Sequence, residues 1–512
     1  MKLNITSNLA LNARRHPDKL AITFKGREHT YKQFNETVNR FANGLASIGL
    51  KKGDKIALMM KNSDYFAISY FAAAKLGAVI VPINFRLVAR EVNYILKQSD
   101  SVMVICEQEL EGLINEARED IVAIRDVIVT PRATTPENRS YENVLSESTA
   151  EPEVEVVGTD DLHILYTSGT TGQPKGALFD HQRVFKVAIG MTGLLGLQSE
   201  DKLLHVAPLF HCAQLCLFLI PGVFLGATNV IEQDFHPVET LKTIEKHGIT
   251  LFFGVPTMYN FFTHVPNSGQ LNLSSITRCG YGAAPMSPEL VKKSIDLFKT
   301  DQFYNLCGLT EGGPTGIYLS PEDHKTKIGK SGKWPSLFTE VKVVNDSGAQ
   351  VAVGEVGELI LRGEAIMKEY YKKPEETAKT LRDGWLYTGD LASVDEDGYF
   401  SLVDRRKDMV ISGGENVYSV EVEYALDEHP LIIESAVIGT PDPKWGELVT
   451  AVLVVKEGEQ LEEDEIIAFC RQRLAGYKVP KRFLLTNELP RNASGKIQKF
   501  KLREQYTGDL VN

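Results

Sequence analysis

Between residues 55 and 106, short and almost wholly apolar segments alternate with helical ones, and this restricts the fold more than any other feature of the chain. Lys55-Ile56-Ala57-Leu58-Met59-Met60 precedes a helix predicted near 65–76. Val79-Ile80-Val81-Pro82-Ile83 follows, then a helix over 89–98, then Ser101-Val102-Met103-Val104-Ile105-Cys106. A strand that is apolar on both sides must be covered on both sides, which is the condition of a parallel sheet between helices. The alternation runs from about residue 10 to 300.

At 512 residues the chain exceeds one ordinary core, so at least two domains are expected. Residues 131–160, rich in Thr, Pro, Glu and Ser, read as an exposed connection within a domain. Beyond about 330 the helices thin out, and segments such as Glu340-Val341-Lys342-Val343-Val344 and Gly357-Glu358-Leu359-Ile360-Leu361 alternate as exposed strands do. The charged stretch Asp404-Arg405-Arg406-Lys407-Asp408 marks the boundary, after which helix and strand patterns resume. The expected fold class is α/β. A large N-terminal domain, 1–404, has stacked, mostly parallel sheets with helices and a β-rich subdomain at about 330–404. A small α+β C-terminal domain, 405–512, follows.

A net charge of −11 argues against a nucleic-acid binder, and apolar and charged fractions of 43% and 24% suit a globular chain. The six cysteines (Cys106, Cys212, Cys216, Cys279, Cys307, Cys470) form no CxxC or zinc spacing and read as reduced, mostly buried thiols. The N-terminus lacks the apolar core of a signal peptide. Two apolar stretches, 66–83 and 215–231, are interrupted, the first by Lys75, Gly77 and Pro82, the second by Pro221, Gly222 and Gly226. Neither makes a clean span of about 20 residues. A cytoplasmic enzyme is expected, shallow membrane contact stays open, and a homodimer is the working expectation.

The strand-like Leu162-His163-Ile164-Leu165-Tyr166 runs into Thr167-Ser168-Gly169-Thr170-Thr171-Gly172-Gln173-Pro174-Lys175-Gly176. Four hydroxyls, three glycines and one lysine can cradle phosphate: glycines turn backbone N–H groups toward an anion, hydroxyls donate to its oxygens, and Lys175 adds charge. The spacing is not that of a Walker A loop.

This ten-residue string resembles the signature loop of the adenylate-forming superfamily, which includes acyl-CoA synthetases, luciferases and peptide-synthetase adenylation domains. Further motifs follow in the family's order along essentially the whole chain. His205-Val206-Ala207-Pro208-Leu209-Phe210-His211 resembles the motif whose last residue gates the acyl pocket, so His211 is the expected gate and His205 a core histidine. Gly280-Tyr281-Gly282-Ala283-Ala284-Pro285 resembles the loop that lies against adenine. Tyr304-Asn305-Leu306-Cys307-Gly308-Leu309-Thr310-Glu311 resembles the stretch that usually ends Tyr-Gly-x-Thr-Glu. The resemblance implies that Thr310 contacts the α-phosphate and that Glu311, with Thr170, holds Mg²⁺. Cys307 stands where the family stacks an aromatic on adenine, so Tyr304 or Tyr281 would have to replace it. The implied acyl pocket comprises His211, Ala213, Tyr281, Gly282, Leu306 and Cys307. The implied ATP site comprises the loop from Thr167 to Gly172 and Lys175, with Gly282, Ala283, Ala284, Asn305 and Thr310.

In the C-terminal third, Asp390 of Tyr387-Thr388-Gly389-Asp390 matches the ribose ligand and Arg405 the second ribose and phosphate contact. Lys407 falls at the hinge. Ser412-Gly413-Gly414-Glu415-Asn416-Val417-Tyr418 matches a glycine-rich loop that is usually followed by Pro, where this chain has Ser419. Lys496 of Pro490-Arg491-Asn492-Ala493-Ser494-Gly495-Lys496-Ile497 matches the lysine that enters the site for adenylation. Residues 471–503 carry ten Lys/Arg and one acid, Glu488, a candidate dock for coenzyme A phosphates. Lys478 and Lys481, with Gly413 and Gly414, are the implied coenzyme A contacts, and the C-terminal domain is implied to be mobile.

The resemblance implies an acid:CoA ligase using ATP, Mg²⁺ and coenzyme A on a small-molecule carboxylic acid. The substrate carboxylate attacks the α-phosphate to give acyl-AMP and pyrophosphate, and the thiol then displaces AMP. An amino-acid activator would carry an Asp at the position of His211, a luciferase-type oxygenase shares the motifs, and a non-catalytic relative would have lost Lys496 or Glu311. Ala213 leaves room for an alkyl chain, whereas Leu306 narrows the tunnel where many relatives have Gly. The expected substrate is a medium- or long-chain fatty acid with a medium-chain optimum, and an aryl or cinnamate-type acid is the alternative.

Overall fold

A computed structural model describes residues 4–167, 173–456, 458–459, 461–491 and 496–508. The chain forms two compact units: Met1–Gly329 with Trp334–Glu340 and Leu361–Leu386, and Lys330–Lys333 with Val341–Ile360 and Tyr387–Asn512.

The first unit holds two sheets, counted over the described residues. In an eight-stranded sheet, the strands Val79–Pro82, Lys55–Met59, Ser101–Glu107 and Asp126–Thr130 lie side by side and parallel. Their two-sided burial explains the unbroken apolar runs, with Ala57, Met59, Val81, Val104 and Cys106 all fully buried. Asp161–Thr167 joins Val79–Pro82 in parallel and turns back antiparallel into Lys175–Asp180, whose outer edge pairs with Glu369–Tyr370. A nine-stranded sheet contains Lys202–His205, Leu251–Gly254, Arg278–Gly282 and Phe303–Gly308, again parallel. The helices Asp64–Lys75 and Ala89–Gln98 stand where the pattern predicts them.

Two details differ from the sequence expectation. Residues 131–160 are not simply exposed, because the short helix Tyr141–Val144 buries Tyr141 and Val144, and a side chain at Gly44 would collide with the Val144 carbonyl. The polar run also neutralises a buried cation. Lys75 Nζ donates to Asn35 Oδ1 and Asn39 Oδ1, both at 2.7 Å, and pairs with Glu151 Oε2 at 2.5 Å. Nor does Pro221 stop its helix. The wide turn Leu215–Leu219 runs directly into Ile220–Leu225, so the helical run continues through Pro221 just after its widened turn. All six cysteines are free, and only Cys307 is not buried. Among the described residues no helix is long and apolar enough to cross a membrane.

The second unit contains the antiparallel pairing of residues 390–394 with 400–405, which sets Asp390 opposite Arg405. Beyond it lies a five-stranded sheet around the long hairpin Ile432–Asp442 and Gly446–Val455, with the helices Ser419–Asp427, Glu463–Arg471 and Lys499–Gly508. Its core is Val417, Val422, Leu426, Val437, Val449, Ala451 and Leu453.

Candidate active site

Strand pairing closes the phosphate loop at its base. Thr167 lies opposite Lys175 in the hairpin, and Gly176 is obligatory because a Cβ there would lie 2.4 Å from Ile164 Cγ2. Ser168, Gly169, Thr170, Thr171 and Gly172 fall outside the described residues. Lys175, at the start of the returning strand, holds its ammonium 4.4 Å from the centre of the Tyr370 ring and 3.5 Å from Glu376 Oε2.

The strand Phe303–Gly308 leads into a tight turn, Thr310–Gly312, that carries Thr310 and Glu311. Tyr370 reaches this turn from the edge strand and donates its hydroxyl to Glu311 Oε1 at 2.7 Å. Burial and the nearby Glu311 charge push the phenol's pKa up, so it stays a donor. A single oriented carboxylate beside a lysine fits a hard cation that takes most of its ligands from triphosphate oxygens.

Gly282 lies opposite Leu306, and a side chain there would come within 2.2 Å of the Leu306 carbonyl oxygen. Ala283 continues with φ 66°, turning the chain sharply into Ala284. Asn305 is opposite Tyr281, and both Asn305 and Cys307 are half-buried.

Tyr281 must be removed from the expected pocket and from the candidates for adenine stacking. Its ring is 1% exposed, packs with Tyr259 and Met286 in the core, and bonds His324 Nε2 at 2.9 Å. Strand alternation puts it on the face away from Gly280 and Gly282. Tyr304 and Leu306 share the opposite face. A methyl group built on Gly280 would meet Phe253 Cδ2 at 3.3 Å, Leu306 Cδ1 at 3.6 Å and Phe218 Cζ at 3.7 Å. Phe218 stacks on Phe253 with ring centres 4.7 Å apart. Leu306 and this aromatic pair thus crowd the space over Gly280.

His211 caps the helix that follows it, its Nδ1 accepting from the Ala213 N–H at 3.3 Å. Buried Asn62 steadies the approach to it by accepting from the Leu209 N–H and donating to the Ala207 carbonyl. Cys212 Sγ lies 3.2 Å from Thr310 Oγ1, which brings the segment at His211–Ala213 to the turn Thr310–Gly312. Ala213 is half-buried beside them. His205 is fully buried between Asn229 and Gln214, and burial drops its pKa to about 4, so it is a neutral core residue. The first unit therefore gathers Lys175, His211, Ala213, Thr310 and Glu311. Tyr370, Phe218 and Phe253, which the motifs do not mark, complete the surroundings.

In the second unit, Gly389, at φ 74°, turns the chain so that its N–H donates to Glu358 Oε1 at 2.9 Å. Asp390 Oδ1 then lies 3.1 Å from Arg405 Nε. Half-buried Lys496 shares the electrostatic field of Asp390, Arg405, Lys407 and Asp408. Burial first, and then Arg405, lower its pKa to about 8. Lys407 Nζ lies 4.0 Å from Asp408 Oδ2. Gly413 and Gly414 turn with φ 63° and 87°, and Gly413 abuts the Trp445 ring. Lys481 Nζ sits 3.4 Å from the centre of that ring, whereas Lys478 pairs with Glu421 at 2.7 Å. Gly413 and Lys481 are thus brought together, and Lys478 is engaged elsewhere.

Comparison with known proteins gives two family matches, the AMP-binding enzyme model over residues 9–371 and the AMP-binding enzyme C-terminal domain over residues 421–496. The chain is 38% identical to a feruloyl-CoA synthase of Amycolatopsis, over 96% of this chain and 97% of that one. It is also 38% identical to the long-chain fatty acid–CoA ligase FadD13 of Mycobacterium tuberculosis, over 94% of each. Among solved structures, the anthranilate CoA ligase AuaEII in complex with anthranoyl-AMP superposes with a TM-score of 0.93 at 30% identity, covering 100% of this chain and 99% of that one.

Proposed function

The chain belongs to the AMP-binding enzyme family and is an acyl-CoA synthetase, and on that premise we propose that it activates a medium-chain fatty acid. The reaction class follows from the family: a carboxylic acid, ATP and coenzyme A give acyl-CoA by way of an acyl-adenylate.

A carboxylate is a poor electrophile because its leaving group would be an oxide. In the proposed mechanism one of its oxygens forms a bond to the α-phosphorus, the bond to pyrophosphate breaks, and the mixed anhydride carries AMP as a good leaving group. Both reactants are anionic, so cations dominate the barrier. One cation at about 4 Å and an effective dielectric near 20 contributes about 4 kcal/mol, roughly three orders of magnitude in rate. Lys175 and Lys496 supply such charge in this reading, and Thr310 donates to the α-phosphate. Mg²⁺, held by Glu311, would add charge neutralisation at the phosphates. In the second step the coenzyme A sulfur bonds to the carbonyl carbon, its proton is lost, and AMP departs.

The observation that carries the substrate reading is the crowding over Gly280 by Leu306 and the Phe218–Phe253 pair. It supports an apolar slot that ends early. Each methylene buried before that end adds about 0.8 kcal/mol, so affinity climbs with chain length and then stops. An aryl acid is the second reading, supported by the similarity to a feruloyl-CoA synthase and an anthranilate CoA ligase. ATP–pyrophosphate exchange across saturated acids, ferulate, benzoate and anthranilate tests both. A maximum at medium-chain acids is expected, and a preference for any aryl acid over every fatty acid overturns the first reading in favour of the second.

A further inference from the structure

Tyr370 touches both the loop lysine and the turn carboxylate, though no motif marks it. Its backbone is fixed on every side. The strand Glu369–Tyr370 pairs with Lys175–Asp180, placing Tyr370 opposite Ala177. The Lys368 and Tyr371 N–H groups donate to the Leu178 and Gly176 carbonyls, both at 2.8 Å. Met367 donates to the Glu311 carbonyl at 2.9 Å, and the Tyr370 N–H to Thr377 Oγ1 at 3.0 Å. The ring is 3% exposed, so its position is set before any ligand arrives.

We infer that Tyr370 is a positioning residue for the metal–triphosphate end of ATP, its hydroxyl orienting Glu311 and its ring face holding Lys175. This rests on the reading of Glu311 and Lys175 as phosphate-side groups. A glutamate has three rotatable bonds, and a hydrogen bond to one carboxylate oxygen removes most of that freedom while the other oxygen keeps its acceptor sites. A lysine has four rotatable bonds, and the electron-rich face of the phenol gives its ammonium a preferred perch beside the loop. Glu376, 3.5 Å from Lys175 Nζ, draws on the same charge, so the ring keeps the lysine from depending on that carboxylate alone. A purely structural tyrosine would need only some acceptor for its buried hydroxyl. Here the acceptor is Glu311 itself.

Tyr370→Phe keeps the ring and removes the hydroxyl. The test compares wild type, Tyr370→Phe, Glu311→Gln and the double variant by calorimetric binding of ATP with Mg²⁺ and of AMP without it. Steady-state pyrophosphate exchange and thermal melting accompany the titrations. Tyr370→Phe is expected to weaken Mg²⁺–ATP about tenfold while AMP binding stays within about twofold. The Mg²⁺ concentration for half-maximal exchange should rise, and in the double variant the Tyr370 change should add little to Glu311→Gln. Equal weakening of ATP and AMP, or a lower melting temperature with no change in either affinity, overturns the inference and leaves Tyr370 structural. If Glu311→Gln itself leaves Mg²⁺–ATP binding intact, the reading of Glu311 fails instead.

Discussion

Asp404 and Ser419 are bound twice through one atom: the Ser419 N–H and hydroxyl both donate to Asp404 Oδ2, at 2.6 and 2.7 Å. Lys499 Nζ reaches the same serine oxygen at 2.5 Å and Glu423 Oε1 at 2.7 Å. The strand that ends at the proposed hinge is thereby tied to the helix Lys499–Gly508, which begins three residues after Lys496. The departure from the usual Pro at 419 has a physical content, because proline could supply neither donor.

Ser419→Pro should therefore destabilise the second unit although position 419 is the first residue of a helix, where proline fits the backbone. Proline's restriction of the unfolded chain is worth about 0.4–1 kcal/mol, against about 1.5–3 kcal/mol for each hydrogen bond to a charged acceptor. A net loss of about 2–5 kcal/mol is expected, with Ser419→Ala losing less. Melting curves of the two variants decide it, and a proline variant as stable as wild type means the carboxylate finds other partners.

Lys496 should show itself in the pH dependence of one half-reaction. Its pKa of about 8, lowered by burial and by Arg405, leaves it mostly charged at neutral pH. A step that needs the cation should hold its rate below pH 7 and fall about tenfold per pH unit above 8. Lys496→Arg should move that limb beyond the accessible range. Lys496→Ala should lose acyl-AMP formation by about two to three orders of magnitude yet still convert supplied acyl-AMP to thioester. Equal loss of both half-reactions refutes the separation of roles.

Lys407, two residues past the end of the strand Phe400–Arg405, is the proposed pivot. Proline there fixes φ and should freeze one pose. Adenylation of the acid by Lys407→Pro should stay near wild type while thioester formation falls at least about tenfold. Acyl-CoA production at the normal rate would place the hinge elsewhere.

The parallel strands of 55–106 could be read from sequence because burial on both faces confines polar residues such as Lys55, Ser101 and Glu107 to their ends. Tyr141 and Val144 were hidden because two buried residues in a polar run make no periodicity. Tyr281 was misplaced although the signal was present, since glycines at 280 and 282 flank it and adjacent strand residues point to opposite faces. Tyr370, Phe218 and Phe253 had no such signal. Each is one aromatic in an apolar or mixed segment, and each matters only through a partner far away in the chain.

The aromatic pair leads to the prediction about substrate length. If Leu306 and the Phe218–Phe253 stack end the acyl slot, trimming either should lengthen it. Leu306→Gly removes the side chain nearest Gly280 but also places a flexible residue inside a parallel strand, at about 0.5–1 kcal/mol in stability. Leu306→Ala avoids that cost and opens most of the same space. Phe218→Ala would remove more volume but unstack Phe253, so its cost of about 3–5 kcal/mol makes it the poorer probe. Two or three added methylenes at about 0.8 kcal/mol each correspond to a roughly 15- to 60-fold gain for the longer acids, well above the scatter of an exchange assay. Both Leu306 variants should therefore shift the chain-length optimum upward by two or more carbons, while kcat/KM for the original best acid changes little. An optimum that stays in place in both would show that the slot ends at another wall, and that Leu306 only lines it.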